Sequence, residues 1–212
     1  LQKFRGSTVV IKFGGSAMDD PECTHRVLRD IVFMECAGMR PVIVHGGGKN
    51  ISAKLDKSGI ESRFINGLRY TDDATMAVVD DVLHNEVNSD LVERMNRLDG
   101  KPCPVSGRNV LRAERITTTD PESGQEADLG HVGRVVNVDS EQVNWVLNRR
   151  QVPVITPVAA DMSGMTFNVN ADMAACRIAT ELRADKLVFL SDVPGILRDP
   201  ADEESVISTI RC

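Results

Sequence analysis

The chain lacks several features that would place it in common classes of protein. Its hydrophobic runs fall well short of the ~20 residues that a membrane-spanning helix needs, and its first residues do not resemble a signal peptide. It is not basic, because 25 lysines and arginines are outnumbered by 31 aspartates and glutamates, for a net charge of -6. We therefore expect no nucleic-acid partner and no membrane partner.

The cysteines follow no recognisable pattern. The five cysteines lie far apart without a C-x-x-C pair, and the four histidines show no spacing typical of metal ligands. An odd number of scattered thiols is typical of a reducing compartment, not of a disulfide or zinc framework. We therefore expect a cytoplasmic protein whose side chains form no metal site of their own.

Standard nucleotide and hydrolase signatures are missing as well. The two glycine-rich turns fit neither the Walker pattern G-x-x-x-x-G-K-[ST] nor the Rossmann pattern G-x-G-x-x-G, and there is no G-x-S-x-G turn. What the chain does contain is two short β-branched runs that end in glycines, TVVIKFGG at 8–15 and PVIVHGGG at 41–48. A phosphate site at these turns would need a different scaffold.

The order of apolar runs predicts an α/β fold. A strand at 7–13, a helix at 21–38 and a strand at 41–45 form a βαβ unit, whose two strands should be parallel neighbours. The remaining pattern predicts helices at 50–57, 71–98, 140–150 and 171–182, strands at 152–158 and 186–190, and β-hairpins over 101–138. Thr71 is expected to open the long helix. The result is a mainly parallel sheet with helices on both faces, and ligands should bind beyond the carboxyl ends of its strands.

Both glycine turns lie at such strand ends. Gly14 and Gly15 follow the first strand, and a run that includes Gly47 and Gly48 follows the second. Without Cβ atoms, these turns allow backbone N–H groups to converge on an anion beside a helix N-terminus. The alternative is that the glycines only permit tight turns between strand and helix.

Lys12 is the most informative charged residue, because it lies inside an otherwise apolar strand. Burying a lysine is unfavourable unless its ammonium reaches a polar site. Two residues before the glycine pair, that ammonium can extend toward the same anion. The alternative is a lysine on an edge strand whose ammonium reaches solvent.

Two further segments carry polar side chains suited to a small acid. In NGLRYTD, Arg69 precedes the long helix, and arginine is the usual side chain for a bidentate grip on a carboxylate. In FNVNADMAA, Asn168 and Asn170 alternate on one face of an extended segment and Asp172 lies in the first turn of a helix. A solvated arginine and a simple helix cap are the alternatives. His45 and His131 have no partner spacing, and we interpret them as structural.

Six segments in this order, VVIKFGG, VIVHGGG, NGLR, LGHVG, NVNAD and LSDVPGI, closely resemble the N-acetylglutamate kinases of the amino acid kinase family. The resemblance covers nearly the whole chain. It implies a three-layer αβα sandwich that uses MgATP to phosphorylate the side-chain carboxylate of N-acetyl-L-glutamate, in arginine biosynthesis.

The resemblance also implies roles for individual residues. Lys12 stabilises the transferred phosphoryl group, and Asp172 holds the catalytic lysines in place. The substrate contacts would be Gly47, Gly48, Arg69 and Asn168. The nucleotide contacts would be Gly14, Gly15, Ser191 and Asp192, with Mg²⁺ held mainly through the phosphates.

By the same resemblance, residues 1–183 form the substrate-binding and dimerisation lobe and residues 184–212 begin the nucleotide-binding lobe. The family places a second catalytic lysine further along, so we expect the printed sequence to be incomplete at its C-terminus. The initial LQKFRG resembles the end of an extra N-terminal helix found in arginine-inhibited members. We therefore expect a homodimer or a hexamer, feedback regulation by arginine and a PII-type regulatory partner.

Two alternatives stay open at this point. The chain could belong to another member of the family, such as an aspartate, glutamate, carbamate or uridylate kinase, although NGLR and NVNAD argue against that. It could also be a non-catalytic ligand-binding homologue. Lys12 and Asp172 argue against loss of activity, and the missing second lysine argues for it.

Overall fold

The protein is built from eleven strands and eight α-helices within the residues that its structure, a computed structural model, describes: 2–121, 123–191, 195–199, 201–202 and 204–210. The strands are β1 (Thr8–Phe13), β2 (Arg40–His45), β3 (Phe64–Ile65), β4 (Leu68–Arg69), β5 (Pro102–Val105), β6 (Leu111–Thr119), β7 (Glu126–Val138), β8 (Val152–Ile155), β9 (Val158–Ala160), β10 (Thr166–Val169) and β11 (Lys186–Leu190). The helices are α1 (Ser16–Asp19), α2 (Pro21–Cys36), α3 (Gly48–Lys57), α4 (Asp73–Asp81), α5 (Ser89–Asn96), α6 (Gly107–Val110), α7 (Ser140–Asn148) and α8 (Ala171–Glu181), and a π-helical segment, Val82–Asn88, joins α4 to α5.

A parallel sheet in the order β11–β1–β2–β8–β5 forms the centre of the fold. Every neighbouring pair in it is parallel, which confirms the predicted mainly parallel α/β architecture. The predicted βαβ unit is also confirmed, with Phe13 in register with His45, so the two glycine turns leave the sheet side by side. No helix in the described part of the chain is both long and apolar enough to cross a bilayer.

Alternation along the central strands separates two hydrophobic clusters, one on each face of the sheet. In β1, Val9, Ile11 and Phe13 join one cluster and Val10 joins the other, as expected when successive side chains point to opposite faces. Helices α2, α3, α4 and α5 contribute to the first cluster, and α7 and α8 to the second. The fold is therefore a three-layer αβα sandwich.

Helix α2 shows how local sequence sets the ends of an element. The Asp20 carboxylate accepts a hydrogen bond of 2.9 Å from the Glu22 N–H, and Pro21 occupies the first helical position. Gly38, just beyond the helix, has a φ of +87°, which favours glycine. The predicted range 21–38 is therefore confirmed to within two residues.

Three details of the predicted elements are wrong. The long helix begins at Asp73 and not at Thr71, because Asp72 is its N-cap and accepts from the Thr75 N–H at 2.8 Å, whereas the Thr71 hydroxyl donates to the Arg69 carbonyl. The segment 152–158 is not one strand, because β8 ends at Ile155 and Val158 begins β9 in a different sheet. The segment 101–138 is not entirely hairpin, since β5 pairs with β8 in the central sheet.

The predicted hairpin is β6 with β7, and these two strands belong to a closed set of four, in the order β10–β7–β6–β9. Strand β10 leads directly into α8 through Asn170. A short antiparallel pair, β3 with β4, carries Arg69. These two peripheral units bring Asn168 and Arg69 to the same side of the central sheet as the glycine turns.

Candidate active site

A cavity of about 740 Å³ lies beyond the carboxyl ends of β1 and β2. This is the edge at which a parallel sheet is expected to bind its ligands. Seven of the site residues predicted from sequence line this single cavity: Lys12, Gly15, Gly47, Gly48, Arg69, Asn168 and Asp172.

The first glycine turn places Lys12 against bare backbone. A Cβ on Gly14 would lie 3.3 Å from the Lys12 ammonium nitrogen and 3.4 Å from the Gly46 Cα. Gly14 therefore packs directly against the Lys12 side chain and does not itself line the cavity. Gly15, which has a φ of +67°, lines the cavity. Only a residue without a side chain fits under this lysine without displacing it.

The Lys12 ammonium is paired with Asp172 at the opposite wall of the cavity. Lys12 Nζ lies 3.2 Å from Asp172 Oδ1, and the Lys12 side chain is only 15% exposed, against 50% for Asp172. Lys12 lies in β1, which has β2 on one side and β11 on the other, so it is not an edge-strand lysine. The Lys12 ammonium, held by the Asp172 carboxylate, therefore presents a positive charge to the cavity.

The second glycine turn runs into the N-terminus of α3. Its first residue is anchored by a 2.7 Å hydrogen bond from the Gly46 N–H to the Phe13 carbonyl. Among the described residues, none accepts a hydrogen bond from the N–H groups of Gly47 and Gly48. The first turn of a helix concentrates such unpaired donors and the positive end of the helix dipole, so the turn is suited to an anionic or carbonyl oxygen.

Arg69 lies opposite this turn and is 93% buried, with a relative exposure of 7%. Its guanidinium donates to the Ser52 hydroxyl at 2.9 Å and to the Gly48 carbonyl at 3.1 Å, and it stacks 4.6 Å from the centre of the Phe64 ring. Burial lowers the pKa of Arg69 from its usual value, while the charge of Asp56 acts in the opposite direction. Arg69 forms no ion pair with a carboxylate in the described ranges, so a buried cation faces the cavity without an anionic partner.

The segment from β10 into α8 supports both interpretations made from its sequence. Asn170 is the N-cap of α8, and its side-chain oxygen accepts from the Asp172 N–H at 2.9 Å and the Met173 N–H at 3.0 Å. The amide of Asn168, by contrast, donates to the Thr71 hydroxyl at 3.3 Å and lines the cavity. The cap interpretation is therefore right for Asn170, and it positions Asp172 toward Lys12.

The other predicted nucleotide contacts are Ser191 and Asp192, which follow β11 in the sequence. Ser191 follows β11, the strand beside β1, and is not among the lining residues. Asp192 lies outside the described residues. Of the two histidines interpreted as structural, His45 is fully buried, and His131 contacts Asp73 at 2.6 Å and the Thr166 carbonyl at 3.2 Å.

The side chains that support Arg69 are not among the residues predicted from sequence. Ser62 and Ser52 both accept from its guanidinium, and Phe64 covers it. Ser52 lies one helical turn after Gly48 in α3. This i+4 spacing indicates from sequence that the two residues lie on the same face of the helix. Ser62 and Phe64 have none, because their contact with Arg69 depends on the β3–β4 hairpin.

A family model described as Amino acid kinase family matches residues 7–212 of the chain. The acetylglutamate kinase of Synechococcus elongatus is 48% identical over 210 residues, which cover 98% of this chain and 67% of that protein. The acetylglutamate kinase of Thermoanaerobacter sp. is 44% identical over 210 residues, which cover 98% of this chain and 68% of the relative.

Solved structures show the same arrangement of elements. The smu.665 protein of Streptococcus mutans superposes with a TM-score of 0.79 at 29% identity, covering 91% of this chain and 75% of that one. The carbamate kinase of Giardia superposes with a TM-score of 0.63 at 16% identity, covering 94% and 76%. At that lower identity the likeness concerns the fold alone.

Proposed function

The chain belongs to the amino acid kinase family, and we propose that it is an acetylglutamate kinase. The reaction is transfer of the γ-phosphoryl group of ATP to the side-chain carboxylate of N-acetyl-L-glutamate, a step of arginine biosynthesis. One structural observation carries the proposal. Beside one glycine turn the cavity has a buried cation, Arg69, that pairs with no carboxylate of the described residues, and beside the other it has a largely buried cation, Lys12, held by a carboxylate.

The arginine side of the cavity suits the amino-acid acceptor. A carboxylate of the acceptor would supply the anionic partner that Arg69 lacks, and a planar guanidinium holds a carboxylate in a fixed orientation. The unpaired N–H groups of Gly47 and Gly48 and the amide of Asn168 are the neutral donors left for the rest of the acceptor. With one carboxylate of the acceptor at Arg69, its side-chain carboxylate would lie toward the first glycine turn.

The lysine side suits the phosphoryl group. In the reaction an oxygen of the acceptor carboxylate forms a bond to the γ-phosphorus, and the bond from that phosphorus to the bridging oxygen of ADP breaks. Negative oxygens are brought together in the transition state, so catalysis depends on positioning and charge neutralisation. Lys12 supplies that charge and Asp172 fixes its ammonium. Gly14 leaves room for the lysine side chain and Gly15 lets the phosphates approach the backbone, and both glycines remain proposed nucleotide contacts.

Magnesium is part of the proposal through the nucleotide. The described residues contain no group of three or more Asp, Glu, His or Cys side chains able to hold a metal ion. Magnesium that enters with ATP is usually bound by phosphate oxygens and water. We therefore assign no protein-made metal site and no step to it.

Several finer expectations belong to the same proposal. Ser191 and Asp192 remain proposed nucleotide contacts, and residues 184–212 the proposed start of the nucleotide-binding lobe. We also propose a homodimer or a hexamer, feedback by arginine, a PII-type regulator and a cytoplasmic location. The molar mass in solution, measured with and without arginine, tests the assembly and the regulation together.

A coupled assay of ADP release tests the acceptor. We expect N-acetylglutamate to be phosphorylated far faster than free glutamate or aspartate, because the N–H groups of Gly47 and Gly48 and the amide of Asn168 are neutral donors that suit the acetyl carbonyl oxygen. Hydroxamate trapping of the acyl phosphate confirms that the carboxylate is the acceptor. Equal or faster turnover of aspartate would contradict the proposal.

A further inference from the structure

His45 ends β2 immediately before the second glycine turn, and its ring is fully buried with both nitrogens bonded. Nδ1 lies 2.8 Å from the Gly46 carbonyl oxygen, and Nε2 lies 3.1 Å from the side-chain nitrogen of Asn88. A carbonyl oxygen can only accept, so Nδ1 carries the proton, and Nε2 accepts from the Asn88 amide. The hydrogen bonds therefore assign His45 to a neutral ring protonated at Nδ1.

Asn88 is buried to the same degree, with 3% exposure, and both hydrogens of its amide are used. Besides His45, it donates to the Val154 carbonyl in β8 at 2.9 Å. A buried polar side chain is unfavourable unless its groups are paired, so this pairing fixes the orientation of the amide. Asn88 thus ties the ring of His45 to a neighbouring strand of the central sheet.

The π-helical segment Val82–Asn88 places Asn88 beneath the turn. A π turn adds a residue to the helix and displaces the side chains that follow by roughly 100° around the axis, and such turns are frequent at functional sites. The same segment contacts the turn directly, because a Cβ on Gly47 would lie 2.7 Å from Leu83 Cδ2 and 3.5 Å from Val87 Cγ2. One irregular stretch of helix therefore supports the turn through a hydrogen bond and through packing.

The opposite side of the turn faces the cavity. The Gly48 carbonyl accepts from Arg69 at 3.1 Å, and the N–H groups of Gly47 and Gly48 have no acceptor among the residues that the structure describes. The Gly46 carbonyl and the Gly47 N–H belong to the same planar peptide unit, so a rotation of that unit would turn the Gly47 N–H away from the cavity and shift the start of α3, where the Gly48 carbonyl accepts from Arg69. The hydrogen bond from His45 to the Gly46 carbonyl opposes that rotation.

We propose that Asn88 and His45 are positioning residues for the acceptor site, which hold the second glycine turn so that its N–H groups and Arg69 face the bound acid. The inference rests on the proposed function, because it assumes that the acid is N-acetylglutamate. Neither residue lines the cavity, so both act through the backbone of the turn.

Calorimetric titration of matched variants tests the proposal. Asn88→Leu keeps a similar volume and removes the amide, so we expect the Kd for N-acetylglutamate to rise about tenfold and the Kd for a non-hydrolysable ATP analogue to stay within about twofold. His45→Gln keeps one donor and one acceptor and should bind the acid within about threefold of wild type.

Asp185→Ala is the control for a general loss of stability. Asp185 accepts from the Thr8 N–H at 2.8 Å at the opposite end of β1, so its removal should lower the melting temperature and leave acceptor binding unchanged. The proposal is wrong if Asn88→Leu binds N-acetylglutamate within about twofold of wild type, or if it weakens both ligands equally.

Nitrogen-15 NMR of the unaltered protein gives a readout that does not depend on variants folding. We expect the His45 ring to be protonated at Nδ1 near neutral pH, and a ring protonated at Nε2 would overturn the proposal. If wild type fails to bind N-acetylglutamate while the ring shows the expected tautomer, the proposed function is wrong. If wild type binds but Asn88→Leu binds equally well, only the positioning role is wrong.

Discussion

The buried ring of His45 should make the stability of the protein depend on pH in a narrow and unusual window. Burial lowers the pKa of His45 from 6.5 to about 4, while the hydrogen bond to Gly46 raises it and the charge of His84 lowers it further. The unfolded chain takes up a proton near pH 6.5 and the folded protein only near pH 4. Between these values, falling pH favours the unfolded state.

The size of this effect follows from the same values. A pKa difference of about 2.5, at about 1.4 kcal/mol for each tenfold change in equilibrium, corresponds to about 3 kcal/mol. Stability from this group is fully present above about pH 6.5 and is lost progressively down to about pH 4. Carboxyl groups with lowered pKa values, such as Asp72 and Asp161, start from 3.8 and lose their contribution at lower pH.

Urea unfolding followed by circular dichroism, from neutral pH down to about pH 4, measures the free energy of unfolding. Wild type should lose about 3 kcal/mol more than His45→Gln over this range, because glutamine does not titrate. His25→Gln, at an exposed position in α2, removes a histidine without changing the core and should follow wild type. Parallel curves for wild type and His45→Gln would show that the ring is hydrated or already charged, and would refute the buried neutral ring.

Three further predictions concern the cavity. Lys12→Met should lower kcat by about a hundred- to a thousandfold, because the lost charge acts mainly in the transition state. The melting temperature and the acceptor KM should change little. A variant that keeps more than about a third of the wild-type kcat would show that Lys12 has only a structural role. Arg69→Lys should raise the acceptor KM strongly and leave the ATP KM unchanged in steady-state kinetics, because a point charge replaces a planar fork, and an unaltered acceptor KM would contradict the assignment. Gly47→Ala should lower the free energy of unfolding by about 1–3 kcal/mol, because the added Cβ would lie 2.7 Å from Leu83 Cδ2. Gly48→Ala should leave the melting temperature unchanged or higher, because nothing lies within 4 Å of its added Cβ. Equal melting temperatures for the two alanine variants would contradict that contrast.

Local chemistry in the sequence was sufficient for most elements. The apolar runs at β1, β2 and β11, the helical spacing of α2 and α8, and the glycines after β1 and β2 all lie where the pattern predicts. These features depend on residues a few positions apart, so neighbouring residues alone carry the signal. The helix start at Thr71 failed for the same local reason, because three residues there can cap a helix and only the backbone decides which does.

Partners distant in the chain had no such signal. The break within 152–158 depended on β5, which pairs with β8, and on β10, which pairs with β9 from Val158 onward in a different sheet. The surroundings of Arg69 depended on Gly48 and Ser52, which accept hydrogen bonds from its guanidinium and lie in α3, well before Arg69 in the chain. Side chains so far apart in sequence meet only after strand order is fixed, and strand order is set by long-range packing.

The sequence by itself therefore determined the elements and the presence of two glycine turns, a strand lysine and an arginine. Only the tertiary structure decided that Lys12 pairs with Asp172, that Arg69 is buried beside the cavity, and that Asn88 reaches His45. The physical reason is that burial and pairing are properties of a packed interior. A charge or an amide acquires its chemical role from the groups packed around it, and those groups come from distant parts of the chain.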